Sequence, residues 1–263
     1  METLAYAVNT LVEEAQEQHV AILVKELGRE EPLVCRDSEV RMISASTIKV
    51  PVMLAALENV RKKKIALQEK LFVGENDIVS GTEVFESGAT SCSLYELICW
   101  MIISSDNTAT NVIIKTLGME DINRYLAETL KTRETELQRY MRDENAIRNG
   151  KNNYTSQRDM LDIFTALFSR SILTKDLCDL AISILYRQRR QDQVMRYLCE
   201  AVPYAHKTGT LSHLNHDVGV MTLNDSLFYI GVSVYDSDKK EGNKRLSGRI
   251  GRRIYEALLA GNS

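Results

Sequence analysis

No stretch of this chain approaches the ~20 consecutive apolar residues that a membrane-spanning helix needs, so no span is expected. Its opening residues, Met1-Glu2-Thr3-Leu4-Ala5-Tyr6-Ala7-Val8, have neither a basic n-region nor a continuous apolar segment. They are not a signal peptide, and the expectation is a cytoplasmic protein or one whose leader has been removed. An excess of basic charge is also missing. The formal net charge of −3 excludes bulk electrostatic attraction to nucleic acid or acidic membrane. Cysteine is sparse, and Cys35, Cys92, Cys99, Cys178 and Cys199 form no Cys-x-x-Cys pair. An odd set of that kind fits reduced, mostly buried thiols better than a disulfide framework or a zinc site, and Cys92 and Cys99 read as core. Internal repeats and low-complexity linkers are absent as well.

What is present is an ordinary globular composition, 44% apolar and 26% charged over 263 residues, ample for one large domain or two lobes. Residues 3–18 repeat apolar positions at three and four and read as an amphipathic helix. Residues 20–24 read as a buried strand, 28–32 as a turn and 33–35 as the returning strand. A second helix begins near Ser46 and ends in the basic run Arg61-Lys62-Lys63-Lys64, which suits a helix C-terminus better than a nucleic-acid patch. Residues 66–92 read as an extended loop region punctuated by Gly74, Gly81 and Gly88. Helices follow at 94–103, 109–117, about 120–130, 156–169 and 174–187, with a polar, Asn-rich segment at 142–153. Three strands at 205–210, 217–222 and 227–235 and a closing amphipathic helix complete the chain. The fold expected is α/β (α+β). Strands from both ends form one five-stranded antiparallel sheet flanked by helices (residues 1–43 and 190–263), and residues 44–189 form an inserted all-helical lobe.

Three polar motifs interrupt apolar surroundings: Ser46-x-x-Lys49, Ser105-Asp106-Asn107 and Lys207-Thr208-Gly209. The first opens a helix, so Lys49 lies on the face of Ser46, among partly positive N–H groups suited to developing negative charge. A serine hydroxyl is a poor nucleophile until a base takes its proton, and Lys49 can do so only if burial and a nearby cation such as Lys207 depress its pKa. Ser105, between the two lysines, can relay a proton to a departing amide nitrogen. Asn107 can fix the Lys49 amine or accept a substrate amide, while Asp106 reads as the anchor of its own loop.

In these motifs, over nearly its whole length, the chain resembles the class A β-lactamase and penicillin-binding DD-peptidase superfamily. The similarity is dense around Ser105-Asp106-Asn107-Thr108-Ala109-Thr110-Asn111 and around Leu67-Gln68-Glu69-Lys70. The resemblance implies an acyl-Ser46 intermediate on β-lactam amide bonds or on acyl-D-Ala-D-Ala peptides, with no cofactor and no metal. It assigns the oxyanion hole to the N–H groups of Ser46 and Thr210, worth about 3–4 kcal/mol per donor in analogous hydrolases. Lys207, Thr208 and Thr210 would hold the substrate carboxylate, and Gly209 would let substrate backbone approach the strand.

The pattern breaks at one place. Class A β-lactamases carry a Glu-x-x-Leu-Asn loop whose glutamate activates the deacylating water, and no such string occurs here. A gapless alignment on residues 155–160 places Tyr140 at the glutamate and Glu144 at the asparagine. Gln138 and Asn153 then replace the Arg and Asp whose ion pair pins the loop. Glu144 or Asp143 could still reach the acyl bond, or both could be solvated. For the basic residue that in the family helps bind the substrate carboxylate from the strand after Lys-Thr-Gly, His216 is the nearest candidate, though a hairpin-turn histidine is the plainer reading. His206 is expected on the sheet face opposite Lys207. Three functions therefore stay open: a β-lactamase with weak deacylation, a DD-peptidase acting on peptidoglycan stem peptides, and a non-catalytic β-lactam or peptidoglycan sensor.

Overall fold

The computed structural model describes residues 3–80, 82–239 and 243–261, so Gly81 lies outside the described residues. Thr3 caps the first helix, α1 (Leu4–Glu14), and Val20–Glu26 and Val34–Arg36 form the antiparallel pair β1 and β2. A short strand β3 (Met42–Ile43) leads to a 3-10 turn, Ala45–Ile48, and then to α2 (Lys49–Arg61). The Ser46 helix thus begins with a tighter turn than its sequence predicts. Ala45 before it is held in the left-handed region, at a cost of about 1–2 kcal/mol for a residue with a Cβ. Ten consecutive residues of α2, Lys49–Glu58, are buried, because α3, α4, α5 and α8 surround it.

The segment expected to be a loop instead contains a two-stranded ribbon, β4 (Lys70–Val73) against β5 (Thr90–Ser93). These four-residue strands are mostly solvated, so they leave no apolar alternation to read. Helices α3 (Leu94–Ile103), α4 (Asn107–Leu117), α5 (Met119–Glu128) and the short α6 (Glu144–Arg148) follow. Gly118, at φ +83°, makes the α4–α5 corner that a side chain would strain. Then come β6 (Tyr154–Thr155, paired with β3), α7 (Gln157–Phe168) and α8 (Lys175–Leu185). The chain closes with a 3-10 turn at Val194–Tyr197, strands β7 (Tyr204–Leu211), β8 (Leu214–Leu223) and β9 (Ser226–Val234), and helix α9 (Lys244–Gly261).

The main sheet has five antiparallel strands in the order β2-β1-β9-β8-β7, joining both ends of the chain through the register Val20↔Val234 to Glu26↔Phe228. Alternation divides its side chains between two cores. Val20, Ile22, Val24, Met221, Phe228, Ile230 and Val232 meet Val8 and Val12 of α1 and Ile250 and Ile254 of α9. Leu23, Ala205, Val218, Val220 and Tyr229 face the opposite way, into the cluster built around α2 and α3. Burying each large aliphatic side chain contributes about 1.5–3 kcal/mol, so the sheet is stabilised from both faces. Its edge strand β7 has no strand on its outer side and lies against the Ala45–Ile48 turn. All five cysteines are free, but Cys35 and Cys199 are exposed and Cys92 is half-buried, so "mostly buried" holds only for Cys99 and Cys178. Cys35 lies on the short edge strand β2, where alternation turns it outward.

Candidate active site

Where β7 meets the Ala45–Ile48 turn, the three motifs converge. A Cβ added to Gly209 would stand 3.0 Å from Ala45 Cβ and 3.1 Å from both Ser44 O and Ser46 N. The glycine is therefore used first to let β7 approach the Ser46 backbone. Ser46 is half-buried and lines two adjoining cavities, and its hydroxyl has no hydrogen-bond partner among the described residues.

Lys49 is fully buried, and its Nζ lies 2.7 Å from Ser105 O, 2.9 Å from Asn107 Oδ1 and 3.3 Å from Ser105 Oγ. From the other side, Lys207 Nζ donates to Ser105 Oγ at 3.0 Å and to Thr208 O at 2.9 Å. Ser105 sits between the two amines at φ +62°, a strained conformation that aims its hydroxyl at both. Burial pulls the Lys49 amine down to about 7, opposed by the Asp106 carboxylate and assisted by Arg190 and Arg142. Burial, then Lys49 and Arg190, hold Lys207 well below the usual lysine range. The cations that act on Lys49 are thus Arg190 and Arg142, not the neighbouring lysine expected from the motifs; it is Lys49 that acts on Lys207. A neutral Lys49 has two N–H groups, enough for Ser105 O and Asn107 Oδ1, with a lone pair left to accept a proton.

Asp106 caps α4 by accepting from Ala109 N at 2.8 Å, and its other oxygen accepts from the Thr82 hydroxyl. That fits the anchoring role read from the sequence. Asn107 reaches Lys49 and also lines both cavities. Thr208 and Thr210 line the smaller cavity, about 270 Å³, with Ser46, Ser105, Asn107, Arg142, Arg190 and Lys244. Gln193 Nε2 donates to Thr210 Oγ1 at 3.1 Å.

Two histidine expectations fare differently. His206 stacks on Tyr204 and bonds Asp217 Oδ1 at 2.7 Å, on the face away from Lys207. His216 is neither a hairpin-turn residue nor a carboxylate grip. It is buried within β8, its Nε2 bonded to Ile43 O at 2.7 Å, and burial lowers its pKa to about 4, so it is neutral. The cations lining the smaller cavity are instead Arg190 and Lys244, the latter paired with Asp192 Oδ2 at 2.6 Å, and the sequence reading missed both. Arg190 is positioned because Gln188 Nε2 donates to Ile102 O at 2.7 Å and Arg189 N to Ile103 O at 3.2 Å, clamping this segment to the end of α3. The only signal was the arginine-rich run Arg187-Gln188-Arg189-Arg190 after a helix.

On the loop where the gapless alignment points to Tyr140, the residue that lines the Ser46 cavity is Met141. Asn111 on α4 grips Met141 at both backbone groups, donating to its O at 3.1 Å and accepting from its N at 2.7 Å. Met141 is buried in the helical core and also lines the larger cavity beside Ser46, about 540 Å³, whereas Tyr140 packs against that core and lines neither cavity. Glu144 points to solvent, its side chain 82% exposed, and Asp143 Oδ1 is occupied in capping α6 through Ala146 N at 2.9 Å. Neither carboxylate lines the Ser46 cavities.

Amide hydrogen bonds hold the base of this loop. Buried Asn153 accepts from Gln138 N at 2.8 Å and Arg139 N at 3.1 Å and donates to Arg139 O at 3.2 Å. Gln138 Oε1 accepts from Asn152 N at 3.1 Å, and Asn153 O accepts from Ser44 N at 2.9 Å, tying the loop base to the residues before Ser46. Asn153→Ala strips partners from three buried backbone groups and should destabilise the fold by about 2–4 kcal/mol in urea titration. A loss below about 0.5 kcal/mol would show that another contact holds the loop.

A five-stranded antiparallel sheet whose edge strand faces a serine–lysine turn across an inserted helical lobe defines the serine-acylating fold of β-lactamases and penicillin-binding proteins. The chain belongs to the beta-lactamase enzyme family, whose model matches residues 3–258. It is 24% identical to Beta-lactamase VEB-1 of Pseudomonas aeruginosa over 235 residues, covering 81% of this chain and 77% of that protein. The solved beta-lactamase of Sphaerobacter thermophilus superposes with a TM-score of 0.87 at 24% identity, covering 98% of this chain and 97% of that one. PBP-A, in a Leu-to-Glu variant solved as an acyl-enzyme with penicillin G, superposes with a TM-score of 0.87 at 23% identity, covering 98% and 96%.

Proposed function

We propose that this protein is an active-site-serine hydrolase that is acylated at Ser46 by β-lactam amide bonds and releases the acyl group slowly. The observation that carries this reading is the buried Lys49, at about 7, within reach of Ser105, which also bonds Lys207. In the proposed sequence, Lys49 takes the Ser46 proton as Oγ attacks the carbonyl. The developing oxyanion meets the N–H groups of Ser46 and Thr210, where β7 presses on the turn. Ser105 gives its proton to the departing nitrogen and is resupplied from the two lysines. Lys207, Thr208 and Thr210, with Arg190 and Lys244 beside them, hold the substrate carboxylate. Segments 1–43 and 190–263 and the helical segment 44–189 supply parts of one catalytic unit.

Release is the weak step because water attacking the acyl ester needs a base, and the cavity beside Ser46 offers Met141 and no carboxylate. That same feature favours a second reading, DD-peptidase action on acyl-D-Ala-D-Ala peptides. A non-catalytic sensor would have no need of two amines tuned by burial around one serine. Intact-protein mass spectrometry after mixing with benzylpenicillin should show a one-to-one adduct in the wild type and none in Ser46→Ala. An unmodified wild-type mass at high penicillin concentration would end the serine-acylation reading.

A further inference from the structure

The chain as a whole carries more acidic than basic residues, 36 against 33, yet the two cavities that share Ser46 are lined by cations without a single carboxylate among the described residues. On the side of Ser105 stand Arg190 and Lys244. On the other side the larger cavity is lined by Arg139 and Arg142 among the apolar Ile43, Met141 and Ile147. Arg142 lines both cavities. Its side chain makes no hydrogen bond or ion pair among the described residues, and it is presented from a left-handed backbone at φ +62°. Behind it the Arg139 guanidinium is steered by Asn152 Oδ1 at 2.7 Å and Tyr140 O at 3.0 Å, and the Asp143 carboxylate, which caps α6, acts on its charge. Asp192 pairs with Lys244 at 2.6 Å, and Asp106 caps α4, so neither forms an ion pair with Arg142.

A substrate with one carboxylate on its leaving-group side is served by Arg190 and Lys207, with Lys244 paired to Asp192 beside them. The unpartnered Arg142 guanidinium also borders the larger cavity, which such a substrate would leave without a carboxylate. We infer that Arg142 is a specificity-determining residue that selects substrates bearing a second carboxylate on the acyl side of the scissile bond. This inference rests on the acyl-Ser46 reading. A planar guanidinium over a half-apolar cavity suits a carboxylate attached to an otherwise apolar acyl group. Two sources share that chemistry: penicillins with a carboxylate in the acyl side chain, and D-Ala-D-Ala peptides whose preceding residue has a free side-chain carboxylate.

The test compares matched pairs. Carbenicillin and benzylpenicillin differ by one acyl-side carboxylate, and acylation rate constants for both are read by mass spectrometry in the wild type, Arg142→Gln and Arg142→Lys. Both penicillins use the same Ser46 and Lys49, so any effect of the substitution on the nucleophile cancels in their ratio. A carbenicillin preference of about 5- to 10-fold is expected in the wild type, falling toward one in Arg142→Gln and largely retained in Arg142→Lys. In the second arm, peptides with that side-chain carboxylate free or amidated compete with penicillin for Ser46. A preference in either arm that Arg142→Gln removes supports the inference, and the arm that shows it names the source. Equal rates within both wild-type pairs, or a preference unchanged in Arg142→Gln, would overturn it while leaving Ser46 acylation intact. Absence of any adduct with either penicillin would overturn the acylation reading and the inference with it.

Discussion

Met141→Glu should shorten the lifetime of the penicillin adduct by about 10²-fold or more, the usual worth of a well-placed general base. The Asn111 side chain fixes the Met141 backbone from both directions, so a glutamate there starts from a rigid position beside Ser46. Burial of this position would raise a carboxylate's pKa, and Arg139 and Arg142, which line the same cavity, would oppose that rise. Tyr140→Glu is the informative control. It occupies the position that a gapless alignment selects, but its side chain packs against the helical core, so the adduct lifetime should stay within about twofold of the wild type. Release followed by intact mass separates the two. Acceleration in Tyr140→Glu but not in Met141→Glu would show that the loop register derived from Asn111 is wrong.

Lys49→Ala should slow acylation by about 10²- to 10⁴-fold, because it removes the base that takes the Ser46 proton. The wild-type rate should depend on pH in a way that identifies the same group. Lys49 acts as a neutral amine, and burial lowers its pKa to about 7, so the active form prevails above that pH and is lost below it. The acylation rate should therefore climb with pH through about 7 and then level, dropping about tenfold per unit on the acid side. A rate independent of pH between 5.5 and 8.5, or a Lys49→Ala variant acylated within about threefold of the wild type, would remove Lys49 from the mechanism (about one pH unit and a half on either side of the expected midpoint).

The parts of this site that the sequence disclosed are those where chemistry and local structure coincide. Ser46 and Lys49 open an apolar helix, and the chemistry asked of Lys49 required a depressed, buried amine. Ser105-Asp106-Asn107 starts α4, with Asp106 as its cap, and Lys207-Thr208-Gly209 lies on a strand that the alternation revealed. The joining of strands from both ends in one antiparallel sheet was also accessible, whereas the order β2-β1-β9-β8-β7 came from the structure. What stayed hidden depends on loops and long-range placement. Arg190 and Arg142 reach the cleft only because Gln188 clamps one segment to α3 and the Asn153 amide network shapes another, and neither leaves a periodic trace. The register of the glutamate-less loop is set by the contact between Asn111 and Met141, 30 residues apart, which no local pattern encodes. His216 looked available because a strand histidine beside Lys-Thr-Gly has the right chemistry, and burial against Ile43 makes it neutral.

The account turns on the contrast between a well-built acylation site and a cavity without a deacylating carboxylate. The most direct test is the time course of the wild-type benzylpenicillin adduct after excess penicillin is removed. A stoichiometric adduct on Ser46 that persists for many minutes is the result expected. An adduct cleared within seconds, accompanied by steady turnover of penicillin, would contradict the account and require a base that neither Met141 nor the solvated Glu144 supplies.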